Sequence, residues 1–229
     1  MNDILLIIPA FNEEGNIVRV VDDLVNNHKE LDYVIINDGS TDHTSEICHS
    51  HGYNIIDHPE NMGLAAAFHT GMEYAFDKGY KYAVQFDGDG QHRAEFVIPM
   101  REKADEGYDI VIASRFVNSK KKLTMRMIGS NMIEQAIKAK TGIIINDPTS
   151  GMRLYNRRMI ERFAGGLNLP PEPSTLVYLI KNDNAKVAEI PATMDERISG
   201  ESYLNPAKAA EYMGKVLWTI LFKNTKNYS

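Results

Sequence analysis

The sequence predicts an α/β fold, a mostly parallel central sheet flanked by helices, in a single domain that ends in a helix. Three observations carry this expectation. Short apolar runs alternate with helical patterns through the first half of the chain. The runs are apolar at consecutive positions, as strands buried on both faces are. Polar, glycine-rich segments follow the first, second and fourth runs, at the carboxyl ends where open α/β sheets bind ligands.

Strands are expected at 4–8, 33–37, 53–57, 82–86 and 109–113, with helices at 14–27, 42–51, 62–78 and 94–106 between them. The second half is less regular. Lys120-Lys121-Lys122 opens a basic segment that includes Arg126, a helix is expected over 124–140, a loop over 146–151 and a short strand over 152–155. Leu169-Pro170-Pro171-Glu172-Pro173 is a stiff break, followed by a helix over 174–182 and a strand over 186–190. A last helix covers 206–223, with Pro206 suited to its first turn. No repeat, low-complexity tract or linker divides residues 1–229.

With 229 residues, 43% of them hydrophobic, the chain can bury a full core. A formal net charge of −6 argues against nucleic-acid binding by phosphate neutralisation. The lone cysteine, Cys48, excludes an internal disulfide and a cysteine-rich zinc site, and it fits a reducing, cytoplasmic setting. The apolar run at 4–8 is too short for a secretory signal and ends at Pro9. No stretch reaches the roughly 18 apolar residues that span a bilayer. The expectation is a soluble or peripheral protein.

The densest chemistry is Asp87-Gly88-Asp89-Gly90-Gln91 at the end of the fourth strand. Two carboxylates so close need a positive partner or much water. Their oxygens and that of Gln91 suit Mg²⁺ or Mn²⁺, which join carboxylates to substrate phosphates; alone, the pattern is more often a solvated acidic turn. Pro9-Ala10-Phe11-Asn12-Glu13-Glu14 follows the first strand. There Glu14 reads as a helix-start carboxylate, while Asn12 and Glu13 stand where a ligand edge could be hydrogen-bonded. Within Asn37-Asp38-Gly39-Ser40-Thr41-Asp42, Thr41 or Asp42 caps the next helix. Asp38 is left at the strand terminus, a place from which carboxylates accept from a ribose hydroxyl or base N–H. Asn61-Met62-Gly63 starts a helix whose free N–H groups suit an anion, or whose small residues pack on the sheet.

This ordered set, with His92 after the acidic motif and Ser114-Arg115 beyond it, resembles the family-2 glycosyltransferases of the Rossmann-like GT-A fold. The nearest branch resembles the dolichyl- and polyprenyl-phosphate sugar synthases. Asp147-Pro148-Thr149-Ser150-Gly151-Met152-Arg153, Glu189-Ile190-Pro191 and Arg197-Ile198-Ser199-Gly200-Glu201-Ser202 extend the likeness over roughly residues 4–202. The resemblance implies a metal-dependent, inverting transfer of a sugar from a nucleoside-diphosphate donor, a UDP-sugar before others. Pro9, Ala10, Asn12, Glu13 and Asp38 would hold base and ribose, with Asn61, Gly63 and Gly88 also at the donor site. Asp87 would contact the ribose or the metal, and Asp89, helped by Gln91, would hold Mg²⁺ or Mn²⁺ against the diphosphate. Arg115 and Arg197 would add to that clamp. Residues 1–118 then form the donor half, 119–204 the acceptor half and 205–229 the C-terminal helix.

Transfer to a hydroxyl needs a general base, for which Asp147 and Glu172 are the candidates. Glu172 sits on a stiff proline mount; Asp147 alternatively holds the acceptor or fixes its loop. A lipid-phosphate acceptor needs no base, since its oxygen is already ionised, and Asp147 or Arg126 would position it. His92 reads as an ordinary loop histidine before a phosphate contact. The polyprenyl-phosphate branch often carries membrane-spanning helices, and this sequence has no such stretch, so a lipid-linked or cell-wall glycan becomes a rival acceptor. The last helix, with Trp218 and several lysines, packs on the domain, pairs with a second copy or lies on the inner face of a membrane. Two other functions fit the same motifs: a nucleotidyltransferase of similar fold, which would favour a basic glycine-rich loop after the first strand, and a non-catalytic nucleotide-sugar-binding protein.

Overall fold

The computed structural model describes residues 2–117, 125–195 and 206–223. In chain order the elements are β1 (Ile4–Ala10), α1 (Ile17–Asn27), β2 (Asp32–Asn37), α2 (Thr44–Ser50), β3 (Ile55–Asp57), α3 (Leu64–Asp77) and β4 (Tyr82–Gln85). A 3₁₀ turn at Ala94–Phe96 leads into α4 (Val97–Asp105), then β5 (Ile110–Ser114), α5 (Met125–Thr141), β6 (Arg153–Asn156) and α6 (Arg157–Ala164). The chain continues through α7 (Pro173–Asn182), β7 (Val187–Pro191) and α8 (Pro206–Phe222).

The strands form one seven-stranded sheet in the order β3-β2-β1-β4-β6-β5-β7. All pairings are parallel except those of β6, which runs antiparallel to both β4 and β5. Alternation along β1 explains why both faces are covered. Ile4, Leu6 and Ile8 join a core with α1, α2 and α4, while Leu5 and Ile7 join one with α3, α5, α6, α7 and α8. Helix α3 lies so close to the sheet that a Cβ on Gly71 would stand 2.2 Å from Ile7 Cγ2.

The observed strands match those expected to within a residue or two at most ends. One element is new. Helix α6 forms because Asn156 Oδ1 accepts from Met159 N at 3.1 Å, and because Met159, Ile160 and Phe163 bury one face. Helix α1 starts three residues later than expected, leaving Asn12-Glu13-Glu14 in the preceding turn. No described helix is long and apolar enough to cross a membrane. Arg197 lies outside the described residues, as does the rest of the 197–202 motif.

Candidate active site

The carboxyl ends of β1, β2 and β4 converge on one edge of the sheet. The loop after β1 is stitched to the loop after β2. Asn12, at φ 56, donates its N–H to Ser40 Oγ and accepts from Thr41 N, and Glu13 N donates to Thr44 Oγ1. A left-handed backbone at this position is one that asparagine tolerates. Pro9 and the buried Ala10 end the strand beneath this junction. A cleft of about 560 Å³ opens beside it, lined by Phe11, Asn37, Ser40, Thr41, His58 and Asn61.

Asp38 is 4% exposed and fully engaged by the protein itself. Its Oδ1 accepts from His58 at 2.9 Å and from Met62 N at 2.9 Å, and its Oδ2 accepts from Gly63 N at 2.8 Å. The anion received by the N–H groups at the start of α3 is therefore the carboxylate of Asp38. His58 continues the chain of contacts to Thr70 Oγ1 on α3, at 2.9 Å. Sequence reasoning passed over His58, whose only signal was its position after the third strand.

The acidic motif after β4 is closed by its own histidine. Asp87 N donates to His92 Nδ1 at 2.8 Å, so that nitrogen bears no proton and Nε2–H faces Asp87 Oδ2 at 3.4 Å. His92 is 6% exposed and packs edge-on against Phe86. The reading of His92 as an ordinary loop residue is therefore corrected: it is a buried strut of the motif. Asp89 Oδ1 accepts from Gln91 N at 3.0 Å, which tightens the turn. Gly88 lies 3.3 Å, by its absent Cβ, from Pro9 O, which brings the motif against the β1 loop. Gln91 joins the motif to the chain after β7 through Asp195 N–H, which donates to Gln91 O at 3.0 Å.

Asp87 and Gln91, partly exposed, and Asp89, which is buried, carry hard oxygen donors at the strand end. Among the described residues no cluster of three or more His, Cys, Asp or Glu side chains forms a closed metal cage. This donor set fits Mg²⁺ or Mn²⁺ of the kind that takes its remaining oxygens from a substrate phosphate.

Asp147 and Arg115 meet although 32 residues separate them. Asp147 has no exposed side-chain surface; its Oδ2 accepts from Arg115 Nε at 2.8 Å and its Oδ1 from Arg115 Nη2 at 2.9 Å. Glu189 on β7 fixes the same loop, accepting from Asp147 N, Asn146 N and Asn146 Nδ2 within 2.7–2.8 Å. Arg153, 2% exposed, donates to the Ser150 and Pro148 carbonyls beneath it. Gly151 then lies against Asp87 and His92, so the loop expected to serve the acceptor touches the acidic motif. Glu172 is partly exposed at the N-cap of α7, with Ser174 Oγ donating to it at 2.7 Å. Tyr212 of α8 lies near it: burial first, and then the charge of Glu172, pushes the Tyr212 hydroxyl up to about 12.

A three-layered α/β sheet with an Asp-x-Asp turn and two stitched loops on its carboxyl edge is the arrangement of a GT-A glycosyltransferase. The chain belongs to Glycosyl transferase family 2, whose pattern matches residues 5–163. A similar relative is the polyprenol monophosphomannose synthase of Mycolicibacterium smegmatis, 26% identical over 228 residues, or 93% of this chain and 84% of that one. Another is the UDP-N-acetylglucosamine–dolichyl-phosphate N-acetylglucosaminyltransferase of Methanococcus voltae, 26% identical over 82% of this chain and 84% of the relative. Among solved structures, glucosyl-3-phosphoglycerate synthase of Mycobacterium tuberculosis shares the fold with a TM-score of 0.66 at 19% identity, over 96% of this chain and 79% of that one. The likeness to family 2 and its polyprenyl-phosphate branch, drawn from the motifs, thus holds, and the nucleotidyltransferase and non-catalytic alternatives give way to it.

Proposed function

We propose that this glycosyltransferase moves a sugar from a nucleoside-diphosphate donor, a UDP-sugar before others, to a polyprenyl phosphate, with Mg²⁺ or Mn²⁺ held by Asp89, Asp87 and Gln91. The observation that carries this reading is the Asp-x-Asp turn, closed by His92 and pressed against both the β1 loop and Gly151. The names of the M. smegmatis and M. voltae relatives support a lipid-phosphate acceptor and a UDP donor, and the M. tuberculosis neighbour was solved with Mn²⁺ and UDP.

The bound cation would neutralise the charge that develops on the leaving diphosphate. The residues do the rest. Pro9, Ala10, Asn12 and Glu13 supply the rim on which base and ribose rest. Asp38 holds the wall of that rim in place through Met62 and Gly63. Arg115, oriented by Asp147, would turn its guanidinium to a phosphate oxygen of the donor. Asp147 in this arrangement is a positioning residue, because a base must reach the attacking oxygen and Asp147 is buried with both oxygens on Arg115. Glu172 is then the carboxylate left to serve a hydroxyl acceptor, such as a lipid-linked or cell-wall glycan; a phosphate acceptor needs neither. Direct displacement inverts the anomeric configuration. Arg197 is assigned to the diphosphate by resemblance alone.

Thermal unfolding against UDP, TDP, GDP and CDP, each with and without Mn²⁺, tests the donor site. A ligand at about 100 times its Kd adds about 2.7 kcal/mol, a shift of several degrees for a chain of this size. Asp89→Ala is expected to abolish the metal-dependent part and keep the fold. A wild-type response from that variant would sink the metal assignment. Release of nucleoside diphosphate on adding polyprenyl phosphate, and not on adding glycan, tests the acceptor.

A further inference from the structure

We propose that Arg153 and Glu189 are positioning residues of the transfer reaction. From one row of the sheet they grip the 146–150 loop by its carbonyls and its N–H groups, and so set the Asp147 carboxylate that orients Arg115. The inference rests on the glycosyl-transfer reading above. The strand register puts both side chains on one face. Arg153 on β6 stands opposite Ile112 on β5, and Ile112 stands opposite Glu189 on β7. Ile112 lies in the core on the α3 side of the sheet, beneath the loop's own layer. Two strand spacings, about 9.5 Å, separate the two charged residues.

The cation takes carbonyls and the anion takes N–H groups. Arg153 Nη2 donates to Pro148 O at 2.7 Å and its Nε to Ser150 O at 3.0 Å. Glu189 accepts from Asn146 N at 2.7 Å, and from Asn146 Nδ2 and Asp147 N at 2.8 Å each. Pro148 has no N–H, so a loop slipped by one residue towards Glu189 would leave that carboxylate short of a donor. Arg153 is 2% exposed and, among the described residues, pairs with no carboxylate. An apolar side chain would fill such a place at lower cost than a buried ion without a counter-ion, so packing alone does not account for the guanidinium. Its other neighbour in the row does not hold it either. Gln85 on β4 stands opposite Arg153, and among the described residues its buried Oε1 has no hydrogen-bond partner. The bonds of Arg153 go to the loop instead. The loop then acts on Arg115: Asp147 Oδ2 accepts from Arg115 N at 3.1 Å and from its Nε at 2.8 Å, and Oδ1 accepts from Nη2 at 2.9 Å. One carboxylate thereby fixes the backbone and the fork of the arginine together.

The test uses the full chain labelled with ¹⁵N, and reads Arg115 and turnover separately. The Arg115 Nε–H resonance, assigned by its loss in Arg115→Lys, should exchange slowly with water in the wild type. Glu189→Gln keeps the size of the side chain and one acceptor; Arg153→Lys keeps the charge and loses the fork. Each should speed that exchange and lower kcat at least about tenfold, the effect of a misplaced catalytic group. Turnover is measured with the nucleoside-diphosphate sugar that the thermal test selects and polyprenyl phosphate. In an Arg115→Lys background, which still offers the buried carboxylate a cation, Glu189→Gln should lower kcat no further, because its route to the reaction is gone. A merely structural role would lower the melting temperature of both variants and leave the resonance and kcat as they were, which overturns the proposal. So would a faster exchange with unchanged kcat, or the full further loss of kcat in the Arg115→Lys background. If one variant fails to fold, the other decides. A wild-type chain that turns over no donor would count against the glycosyl-transfer reading, and the resonance would still decide whether the row sets Arg115.

Discussion

Arg115 and Asp147 have unequal shares in their pair. The carboxylate is wholly buried and the guanidinium is one-quarter exposed, so removing the arginine leaves an uncompensated buried charge. Arg115→Ala is expected to destabilise the protein by about 3–5 kcal/mol, measured by denaturant unfolding; a loss below about 1 kcal/mol, the range of a surface ion pair, would contradict the buried geometry. His92 acts through Asp87. His92→Ala should weaken Mn²⁺ binding in the presence of UDP by about 10–100-fold, the usual cost of losing a group that orients a metal ligand. His92→Asn, which keeps an acceptor for Asp87 N–H, should recover much of it in a calorimetric titration, and equal affinities in all three proteins would remove His92 from the site. Cys48 has no exposed surface, and burial, followed by the charges of Asp57 and Asp42, pushes its thiol up to about 11. An acid whose folded pKa is raised adds stability below its unfolded pKa, near 8.5, and loses it as pH climbs towards 11. Alkylation of Cys48 should accordingly be slow in the native protein at pH 8 and fast in denaturant. Fast native alkylation would mean that α2 opens.

At the scale of elements, the closest approach in the sheet layer is that of α3 to β1. Gly71 leaves no room for a methyl beside Ile7, a β-branched side chain locked in a full core. Gly71→Ala should therefore cost about 1–3 kcal/mol, the range for overpacking. On an Ile7→Ala background, which lacks both γ carbons that the new methyl would meet, Gly71→Ala should cost less, and additive costs in the double variant would argue that the two do not touch. The strands that the sequence made legible are those apolar on both faces, such as 4–8, because burial on two sides leaves no periodicity to misread. Helix α6 was not legible: Arg157 and Arg158 open it, and its apolar positions are too few to stand out from a turn. The direction of β6 was equally hidden, since four residues carry no mark of which neighbour they will join.

For the molecule as a whole, the motifs on the donor side could be read because each is local, a strand end followed by a turn. The partners of those motifs could not. Arg115 finds Asp147 across β5 and β6, Glu189 reaches Asn146 from β7, and Asp38 meets Met62 from the far side of β3; each pair is set by sheet order, which sequence spacing does not display. The bonds that Asp38 makes within the protein could not be foreseen for the same reason. Its charge is used to hold the wall of the cleft, so its reach to a ligand is limited to what two backbone N–H groups and His58 leave open.

The lone antiparallel strand also dictates an order of assembly. β6 sits between β4 and β5, so β5 is synthesised before the strand that seats it. The first four strands can pair as they emerge, while β5 waits with both edges open until residue 156 has been added, and with one edge open until β7 is made. The same stretch delivers Asp147 and Gly151 to the edge where Asp87 and Arg115 wait. Joining β5 to the rest of the sheet and delivering this loop to the site are thus one event in the life of a nascent chain, and a product that stops short of β6 has neither.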